Sequence, residues 1–143
     1  MRSNVAIRPC RVEECATVLE VRRRAHPNSD TFDSLERLAR MVRDHGDLVL
    51  VAETEGKIVG CVIGGWNGWE GHIDRLAVLP DHKRKGIARA LVQEVERRLV
   101  AKGARRISLL VHQGHPEALA FWDSLDGIGY RRDPRMVRYM KNV

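Results

Sequence analysis

The hydrophobic positions of the chain follow two rhythms, one typical of strands and one typical of helices. Short apolar or alternating runs predict strands at residues 5–8, 48–52, 58–66, 70–79 and 107–111, then near residue 130 and at 137–140. Apolar residues three and four apart predict helices at residues 12–25, 32–45, 87–102 and 116–125.

The boundaries of several elements follow from local chemistry. Asp30 or Thr31 is predicted to cap the second helix, because short polar side chains accept hydrogen bonds from the first free amides. Gly46 is predicted to end that helix. Residues 48–52 and 107–111 are continuous apolar runs, which predict strands buried on both faces.

The order of the elements predicts an α/β (α+β) fold with a mixed, mostly antiparallel central sheet flanked by helices. Turn signals at Glu55-Gly56 and Asn67-Gly68 join three strands, which we therefore expect to be antiparallel. The helix at 87–102 is long enough for a parallel crossover to the strand that follows it. With 143 residues, the chain is predicted to form one domain, 1–143.

Composition narrows the class of protein further. Lysine and arginine number 25 against 19 acidic residues, a net charge of +6 that suits an anionic partner. The three cysteines form no CxxC pair, so neither a disulfide framework nor a metal site is predicted. The sequence has no apolar stretch of about 18 residues that would span a membrane, and the N-terminus lacks the form of a signal peptide. These features predict a cytoplasmic protein with no membrane partner.

The most informative segment joins the strand at 70–79 to the helix at 87–102. Its loop is strongly basic, and Gly86 precedes the helix without a polar residue to cap the first-turn amides. Cations crowd a helix end that already carries partial positive charge, an arrangement that becomes favourable when an anion binds there. Free amides, positive charge and a glycine favour a phosphate site, with a solvated basic loop as the alternative. The loop matches neither a Walker A motif nor G-x-G-x-x-G.

The same segment resembles a known family signature. Residues 76–80, Leu-Ala-Val-Leu-Pro, and residues 83–88, Lys-Arg-Lys-Gly-Ile-Ala, are similar to the L-x-V-x-P strand and R/Q-x-x-G-x-G/A loop of the GCN5-related N-acetyltransferases. The detail resembles small bacterial members. Lys83 stands where arginine or glutamine is usual, and Ala88 is the allowed small alternative to glycine; both substitutions are compatible with phosphate binding.

The resemblance implies acetyl-CoA as cosubstrate, no metal, and a defined set of binding residues. The backbone of Leu76, Ala77 and Val78 would pair with the pantetheine arm. The pyrophosphate would be held by the loop and the first helical turn, that is by Lys83, Arg84, Lys85, Gly86, Ile87, Ala88 and Arg89.

A second family motif, N-x-x-A-x-x-F/L-Y followed by G-F/Y, is altered in this chain. His115 replaces the usual asparagine, and Trp122 replaces the tyrosine often proposed to protonate the departing thiolate. The link from Trp122 to Gly129 is also two residues longer than usual. The resemblance places His115 and Trp122 beside the cofactor, but an indole N–H is only a donor and cannot act as an acid.

The base that would deprotonate the acceptor amine is assigned to the strand before the signature. Glu70 and His72 lie where family members place such a group, and either one is expected to act directly or through water. Glu70, His72, Asp74, Leu76 and Val78 share parity, so a regular strand would point them to one face, which a bulge would change. Solvated polar residues at a strand start are the alternative.

The expected function is acetyl-CoA-dependent transfer of an acetyl group to a primary amine of a small molecule or a peptide N-terminus. A non-catalytic CoA-binding or regulatory module is the alternative that Trp122 suggests. A nucleic-acid-binding domain is disfavoured, since no helix-turn-helix, zinc or RNA-binding signature is present. Family members are often dimers, so a homodimer is possible. Acceptor specificity is expected in the helices between residues 11 and 45 and in the hairpin between Trp66 and Trp69.

Overall fold

The computed structural model describes residues 4–28 and 33–143. Two compact units are present, the first ending at Leu109 and the second comprising Leu110–Val143. The first unit contains, in chain order, β1 (Val5–Pro9), α1 (Cys15–Ala25), α2 (Leu35–His45), β2 (Val49–Thr54), β3 (Lys57–Trp66), β4 (Gly71–Val78), α3 (Ile87–Lys102) and β5 (Ile107–Ser108). The second contains α4 (Pro116–Asp123) and a short 3₁₀ turn, Asp126–Ile128.

The strands form one sheet in the order β1-β2-β3-β4-β5. The first four strands are antiparallel neighbours, and β5 is parallel to β4 after the crossover through α3. Glu55 and Gly56 both have positive φ, as the tight turn between β2 and β3 requires. The predicted fold class, a mixed and mostly antiparallel sheet with a parallel crossover, is confirmed.

The helix α2 begins later than its predicted cap implies. Ser34 occupies the N-cap position, and its hydroxyl accepts a hydrogen bond from the Arg37 amide at 3.2 Å. Asp30 and Thr31, the caps predicted from the sequence, and the predicted first turn at Phe32 lie outside the described residues. Ser34 caps the helix because its hydroxyl accepts a hydrogen bond from a first-turn amide, and α2 therefore begins at Leu35.

Helix α3 lies unusually close to the sheet because it packs over glycines. A Cβ on Gly60 would lie 3.1 Å from Leu91, and one on Gly64 would lie 2.6 Å from Val95. Leu99 makes the equivalent contact with Gly71, at 3.0 Å. The apolar side chains of α3 thus pack directly against the backbone of three strand glycines, and they are fully buried there.

Opposite faces of the sheet carry different helices. Cys61 and Ile63 alternate with the glycines that face α3, and they lie with residues of α1 and α2 on the other side. The strand β2 is buried on both faces, with Leu50, Val51 and Ala52 inaccessible to solvent, as its apolar run predicts.

Two predictions near the C-terminus are wrong. The run at 107–111 forms only the two-residue strand β5, which is not buried, and Leu110 is 63% exposed. No strand is present among residues 130–143, where Val137 and Tyr139 are largely exposed. Apolar pattern alone does not distinguish an interior strand from an edge strand, because burial depends on which neighbours the topology supplies.

An ion-pair cluster joins β1 to the turn before α1. The Arg8 guanidinium lies 2.7 Å from a carboxylate oxygen of Glu14 and 2.6 Å from one of Glu53. The hydrogen bonds from Arg8 are the largest influence on Glu14, and they lower the pKa of its carboxyl to about 2 from 4.5. The charged form of Glu14 is therefore favoured in the folded protein.

This cluster predicts a pH-dependent contribution to stability. Because the pKa of Glu14 is lower in the folded chain, its contribution is fully present above about pH 5 and is lost as the pH falls toward 2. We expect Glu14→Gln to lower the free energy of unfolding by about 1–3 kcal/mol at pH 7, with the difference from wild type shrinking between pH 5 and pH 2. Urea unfolding over this pH range measures the effect.

Glu20→Gln is the matched control, since Glu20 pairs with Arg23 on the solvent-exposed face of α1. Exposed pairs contribute little, so this variant is expected to unfold like wild type at every pH. Equal behaviour of the two variants would show that the Arg8 cluster does not stabilise the fold.

Candidate functional site

The start of α3 is open and uncapped. Gly86 occupies the N-cap position with φ +79°, and no side chain caps the helix there. A Cβ placed on Gly86 would have no atom within 4 Å, so the space beside this turn is empty. Arg84, two residues earlier, also has positive φ and curves the loop into the helix. The first-turn amides of α3 are thus left for a ligand.

Cations surround this helix start without acidic partners. Across the described ranges, Arg84, Lys85 and Arg89 form no hydrogen bond or ion pair with another side chain, and all three are exposed. Farther along the same helix, by contrast, Arg97 and Arg98 both pair with Glu94. Unpaired cations at a helix N-terminus repel its partial positive charge, so a bound anion would stabilise this arrangement.

The remaining residues of the predicted phosphate loop divide into two groups. Ile87 is only 2% exposed, so its side chain belongs to the core and only its amide is suited to a ligand. Lys83 and Ala88 are half-buried. His82 was not predicted from the sequence, yet its Nδ1 atom is buried and has no hydrogen-bond partner among the described residues. A histidine in a basic loop gives no sequence signal that one ring nitrogen will be buried.

Beside this loop, the outer edge of β4 is largely open in the sense that it has no paired strand. Only Gly71 and His72 pair with β5, at Ile107 and Ser108. The rest of β4 has no β5 partner, and its other edge pairs with β3, for example Val78 with Gly60. Unpaired backbone groups at a strand edge can bind an extended ligand that carries amides.

The three residues predicted to bind pantetheine, Leu76, Ala77 and Val78, lie on this stretch without β5 pairing, where Ala77 and Val78 are buried. Leu76 differs from its neighbours, because its carbonyl oxygen already lies 3.2 Å from the ring Nε2 of His26. His26 is thus a second residue at the site that sequence reasoning missed. It lies at the C-terminal end of α1, far from the motif in the chain.

A bulge in β4 overturns the predicted parity of its side chains. Pairing with β3 shifts by one residue between Cys61 and Ile63, and Arg75 at the shift has φ +52°. His72 and Asp74 therefore share the face that lies opposite to α3, whereas Val78 contacts the side of Gly60 that faces α3. The single face expected of a regular strand is therefore not formed; the bulge, the exception to that expectation named above, inserts one extra residue.

The two predicted bases lie together at the start of β4. Glu70 precedes the strand, and its amide donates to the Asn67 side chain at 2.8 Å within the turn. Glu70 and His72 line one cleft of about 310 Å³ with Trp66 and Ser108. The cleft is small, its lining is part polar and part apolar, and its carboxylate and imidazole side chains are of the types that transfer protons. The catalytic role of either residue stays a prediction.

A larger cavity of about 450 Å³ lies between α1, α2 and the sheet. It has an apolar floor and a charged wall, and the residues that matter most to its chemistry are Val18, Leu38, Cys61, Asp33, Asp74 and Arg75. This placement fits the expectation that residues 11–45 line an acceptor site. Two tryptophans are also expected at the acceptor site. The ring of Trp66 lies 3.8 Å from the position that a Cβ on Gly103 would occupy, and Trp69 is 85% exposed.

The cysteines are buried and free. Burial is the largest influence on Cys10 and Cys61, and it raises the pKa of each thiol to about 12. Burial likewise raises the pKa of Cys15. A thiol with such a pKa is protonated at neutral pH, so these residues have the properties of core side chains and not of nucleophiles.

The second unit carries the altered motif. His115 occupies the N-cap position of α4 without capping it through its side chain, and its ring stacks on His112 with 4.7 Å between centroids. Trp122, on α4, packs edge-on against Tyr130 at 5.3 Å. Both residues thus have local packing partners within their own unit.

The comparisons with known proteins agree with this geometry. Residues 15–126 match the sequence profile of the acetyltransferase (GNAT) family, which covers most of the chain and spans both units. The chain therefore belongs to the acetyltransferase (GNAT) family. Within the described ranges, no helix is long and apolar enough to cross a membrane.

Bacterial relatives are named acetyltransferases. An acetyltransferase of Pectobacterium atrosepticum is 37% identical over 89 residues, which cover 62% of this chain and 63% of that protein. An acetyltransferase of Sodalis glossinidius is 35% identical over the same length. The matched segment thus spans less than two thirds of these relatives.

Solved structures share the fold. Naa20 of Chaetomium thermophilum, in complex with a bisubstrate analogue, is 25% identical, with a TM-score of 0.70 over 84% of this chain and 69% of that chain. The aminoglycoside acetyltransferase AAC(6')-Iy, also with a bisubstrate analogue, is 18% identical, with a TM-score of 0.76 over 99% of this chain and 100% of that chain. PaiA of Thermoplasma acidophilum, in complex with coenzyme A, is 20% identical, with a TM-score of 0.69 over 85% of this chain and 87% of that chain.

Proposed function

We propose that this protein is an acetyl-CoA-dependent N-acetyltransferase that acts on a primary amine. The observation that carries the proposal is the uncapped start of α3, where exposed cations without acidic partners surround free amides. This arrangement fits a diphosphate, since the empty space beside Gly86 admits it against the backbone. Membership of the GNAT family supports the same function.

The cosubstrate is proposed to bind along two adjoining elements. The amides of residues 84–89, with the side chains of Lys83, Arg84, Lys85 and Arg89, hold the pyrophosphate. The pantetheine arm extends along the open edge of β4 at residues 76–78, where its amides add to the sheet. Because the family profile runs through both units, we further propose that residues 1–143 act as one domain, with His115 and Trp122 near the cofactor.

The reaction is a direct attack of the amine on the thioester. A neutral amine forms a C–N bond with the acetyl carbonyl carbon, the C–S bond breaks, and CoA leaves as a thiolate. Glu70 or His72 accepts the proton released by the amine, directly or through water. Trp122 has no acidic proton to give, so the thiolate is protonated by water, with the indole N–H available as a hydrogen-bond donor.

The acceptor is proposed to be a primary amine of a small molecule or of a peptide N-terminus. One related structure, the aminoglycoside acetyltransferase AAC(6')-Iy, supports the small-molecule part of this range.

The alternative, a CoA-binding module without catalysis, is favoured by Trp122 in place of the usual tyrosine. Release of free thiol from acetyl-CoA in the presence of aminoglycosides, polyamines, amino acids and short peptides separates the two functions. Amine-dependent thiol release supports the enzyme. Saturable binding of acetyl-CoA by calorimetry without thiol release from any amine would support the module instead.

The two candidate bases give a specific prediction. We expect Glu70→Gln or His72→Ala to lower kcat/KM by about 10²–10⁴-fold, because general-base catalysis contributes on that order. The loss should be smaller above pH 9, where more of the amine is already neutral. Initial rates from pH 6 to 10 measure the effect.

Asp81→Asn is a suitable control, since Asp81 is an exposed acidic residue in the 3₁₀ turn after β4. It should leave the pH profile unchanged. Unaltered kcat/KM and pH profiles in both Glu70→Gln and His72→Ala would remove these residues from the proposed mechanism.

A further inference from the structure

A network of ion pairs ties α1 and the N-terminal boundary of α2 to the bulge in β4. The Nε atom of Arg22 lies 3.0 Å from one carboxylate oxygen of Asp33, and the Nε atom of Arg75 lies 3.0 Å from the other. Arg75 also approaches Asp74, with Nη1 2.6 Å from Oδ2. Asp33 therefore bridges two arginines that come from different elements of the fold.

The network is anchored in the interior. Within residues 4–28 and 33–143, Arg22 is the one charged side chain that is buried, at 6% exposure. A buried guanidinium requires a carboxylate partner, so the pair with Arg22 is sufficient to hold Asp33 in place. Arg75 therefore pairs with a carboxylate whose position is already fixed. Burial opposes ionisation of Asp33, but hydrogen bonds from Arg22 and Arg75 outweigh it and lower the pKa of the carboxyl.

The other end of the network is a strained backbone. Arg75 has φ +52° at the point where the pairing of β3 and β4 shifts, a conformation that non-glycine residues rarely adopt. Two contacts hold the backbone from the strained residue onward. The carbonyl of Arg75 accepts from the Cys61 thiol at 3.6 Å, and that of Leu76 lies 3.2 Å from His26 Nε2. Such strain persists only where its surroundings impose it.

The strained residue lies between two regions proposed to bind substrates, the 450 Å³ cavity and the edge of β4. Arg75 immediately precedes the open edge at residues 76–78, and its side chain lines the 450 Å³ cavity together with Asp33 and Asp74. A shift of the bulge would move the strand edge and the cavity wall together. Small displacements of reacting groups have large effects on rate, because attack requires close alignment.

We infer that Arg75 is a positioning residue: clamped between Asp33 and Asp74, it fixes the β4 bulge so that the acceptor cavity and the thioester-bearing edge of the strand are aligned. The inference rests on the proposed acetyl transfer. It assigns to Arg22 and Asp33 the role of an interior anchor for this clamp. Neither role involves transfer of a proton or contact with the reacting atoms.

The test compares Arg75→Asn with Arg75→Gly. Asparagine tolerates positive φ and glycine adopts it freely, so both keep the bulge accessible while removing the clamp. We expect kcat to fall at least 10-fold in both variants, with the Kd for CoA unchanged within 2-fold. Arg97→Ala, which removes an exposed ion pair on α3, is the control and should retain wild-type kcat. Wild-type kcat in Arg75→Gly would overturn the inference.

Hydrogen exchange gives a readout that does not depend on activity. We expect Arg75→Asn to speed amide exchange at residues 74–77 by at least 10-fold and to leave the buried strand β2 unchanged. If the wild type acetylates no amine, the proposed function fails, but this exchange result still decides whether Arg75 holds the bulge. Unchanged exchange in Arg75→Asn would show that it does not.

The anchor is tested separately, because Asp33→Asn leaves Arg22 buried without its charge partner and is expected to lower Tm. The double variant Arg22→Met with Asp33→Asn removes both charges and should recover most of that Tm. Its kcat should stay at least 10-fold below wild type, since Arg75 has still lost Asp33. Recovery of kcat together with Tm would assign the network to folding alone and contradict the inference.

Discussion

The double variant Arg84→Glu with Arg89→Glu is expected to bind CoA at least 100-fold more weakly than the wild type. Both side chains lie at the uncapped start of α3, and neither has an acidic partner among the residues described. Each replacement removes a cation and adds an anion where a diphosphate is proposed to bind. Charge-assisted hydrogen bonds contribute about 1.5–3 kcal/mol each, so the loss of two exceeds a factor of 100.

Isothermal titration with CoA at fixed salt measures this effect, and pantetheine serves as a second probe because it has no phosphate. The control is Arg105→Glu with Arg106→Glu, which makes the same change in net charge at exposed sites beyond the C-terminal end of α3. We expect the control to retain CoA affinity within a few-fold. Equal losses in the two double variants, or an equal loss of pantetheine affinity, would contradict a diphosphate site at this helix start.

The second large effect concerns the packing of α3. A methyl group added at Gly64 would lie 2.6 Å from Cγ2 of Val95, closer than carbon atoms approach in folded proteins. Val95 is fully buried, so it has little room to move. We expect Gly64→Ala to lower the free energy of unfolding by about 1–3 kcal/mol, and Gly64→Val to prevent folding or lower it further. Urea denaturation followed by circular dichroism measures both.

Gly65 provides a control one residue away. A Cβ there would meet only His72, at 3.6 Å, an ordinary contact on the opposite face of β3. We expect Gly65→Ala to change the unfolding free energy by less than about 1 kcal/mol, in either direction. The same destabilisation at both positions would indicate that backbone flexibility, and not the close approach of α3, makes glycine necessary in β3.

Much of the fold could be predicted because its signals are local. The spacing of Ile87, Leu91, Val95 and Leu99 defines α3, and the Glu55-Gly56 turn defines the hairpin of β2 and β3. The start of α3 was equally accessible, since an uncapped helix after a basic loop is visible in the sequence. These features depend on neighbours within about one helical turn.

The features that could not be predicted depend on distant residues. The bulge at Arg75 shifts the register of β4, and no pattern in residues 70–79 indicates it. His26 contacts Leu76 across 50 positions of sequence, and Asp33 contacts Arg75 across 42. The prediction of strands after residue 129 is wrong, because an apolar pattern carries no information about whether a neighbouring strand is present to pair with.

The glycines beneath α3 also bear on how this protein can diversify. Gly60, Gly64 and Gly71 fix the height of α3 above the sheet, and thereby the position of its first turn beside β4. Changes there would therefore disturb binding of the nucleotide end of the proposed cosubstrate. The cavity wall formed by α1 and α2 is on the other side of the sheet, so its positions outside the Arg22–Asp33–Arg75 network can mutate independently of the glycines. If the proposed function holds, directed evolution toward new amines should therefore randomise the cavity-lining positions of α1 and α2 other than Arg22, and keep these three glycines unchanged.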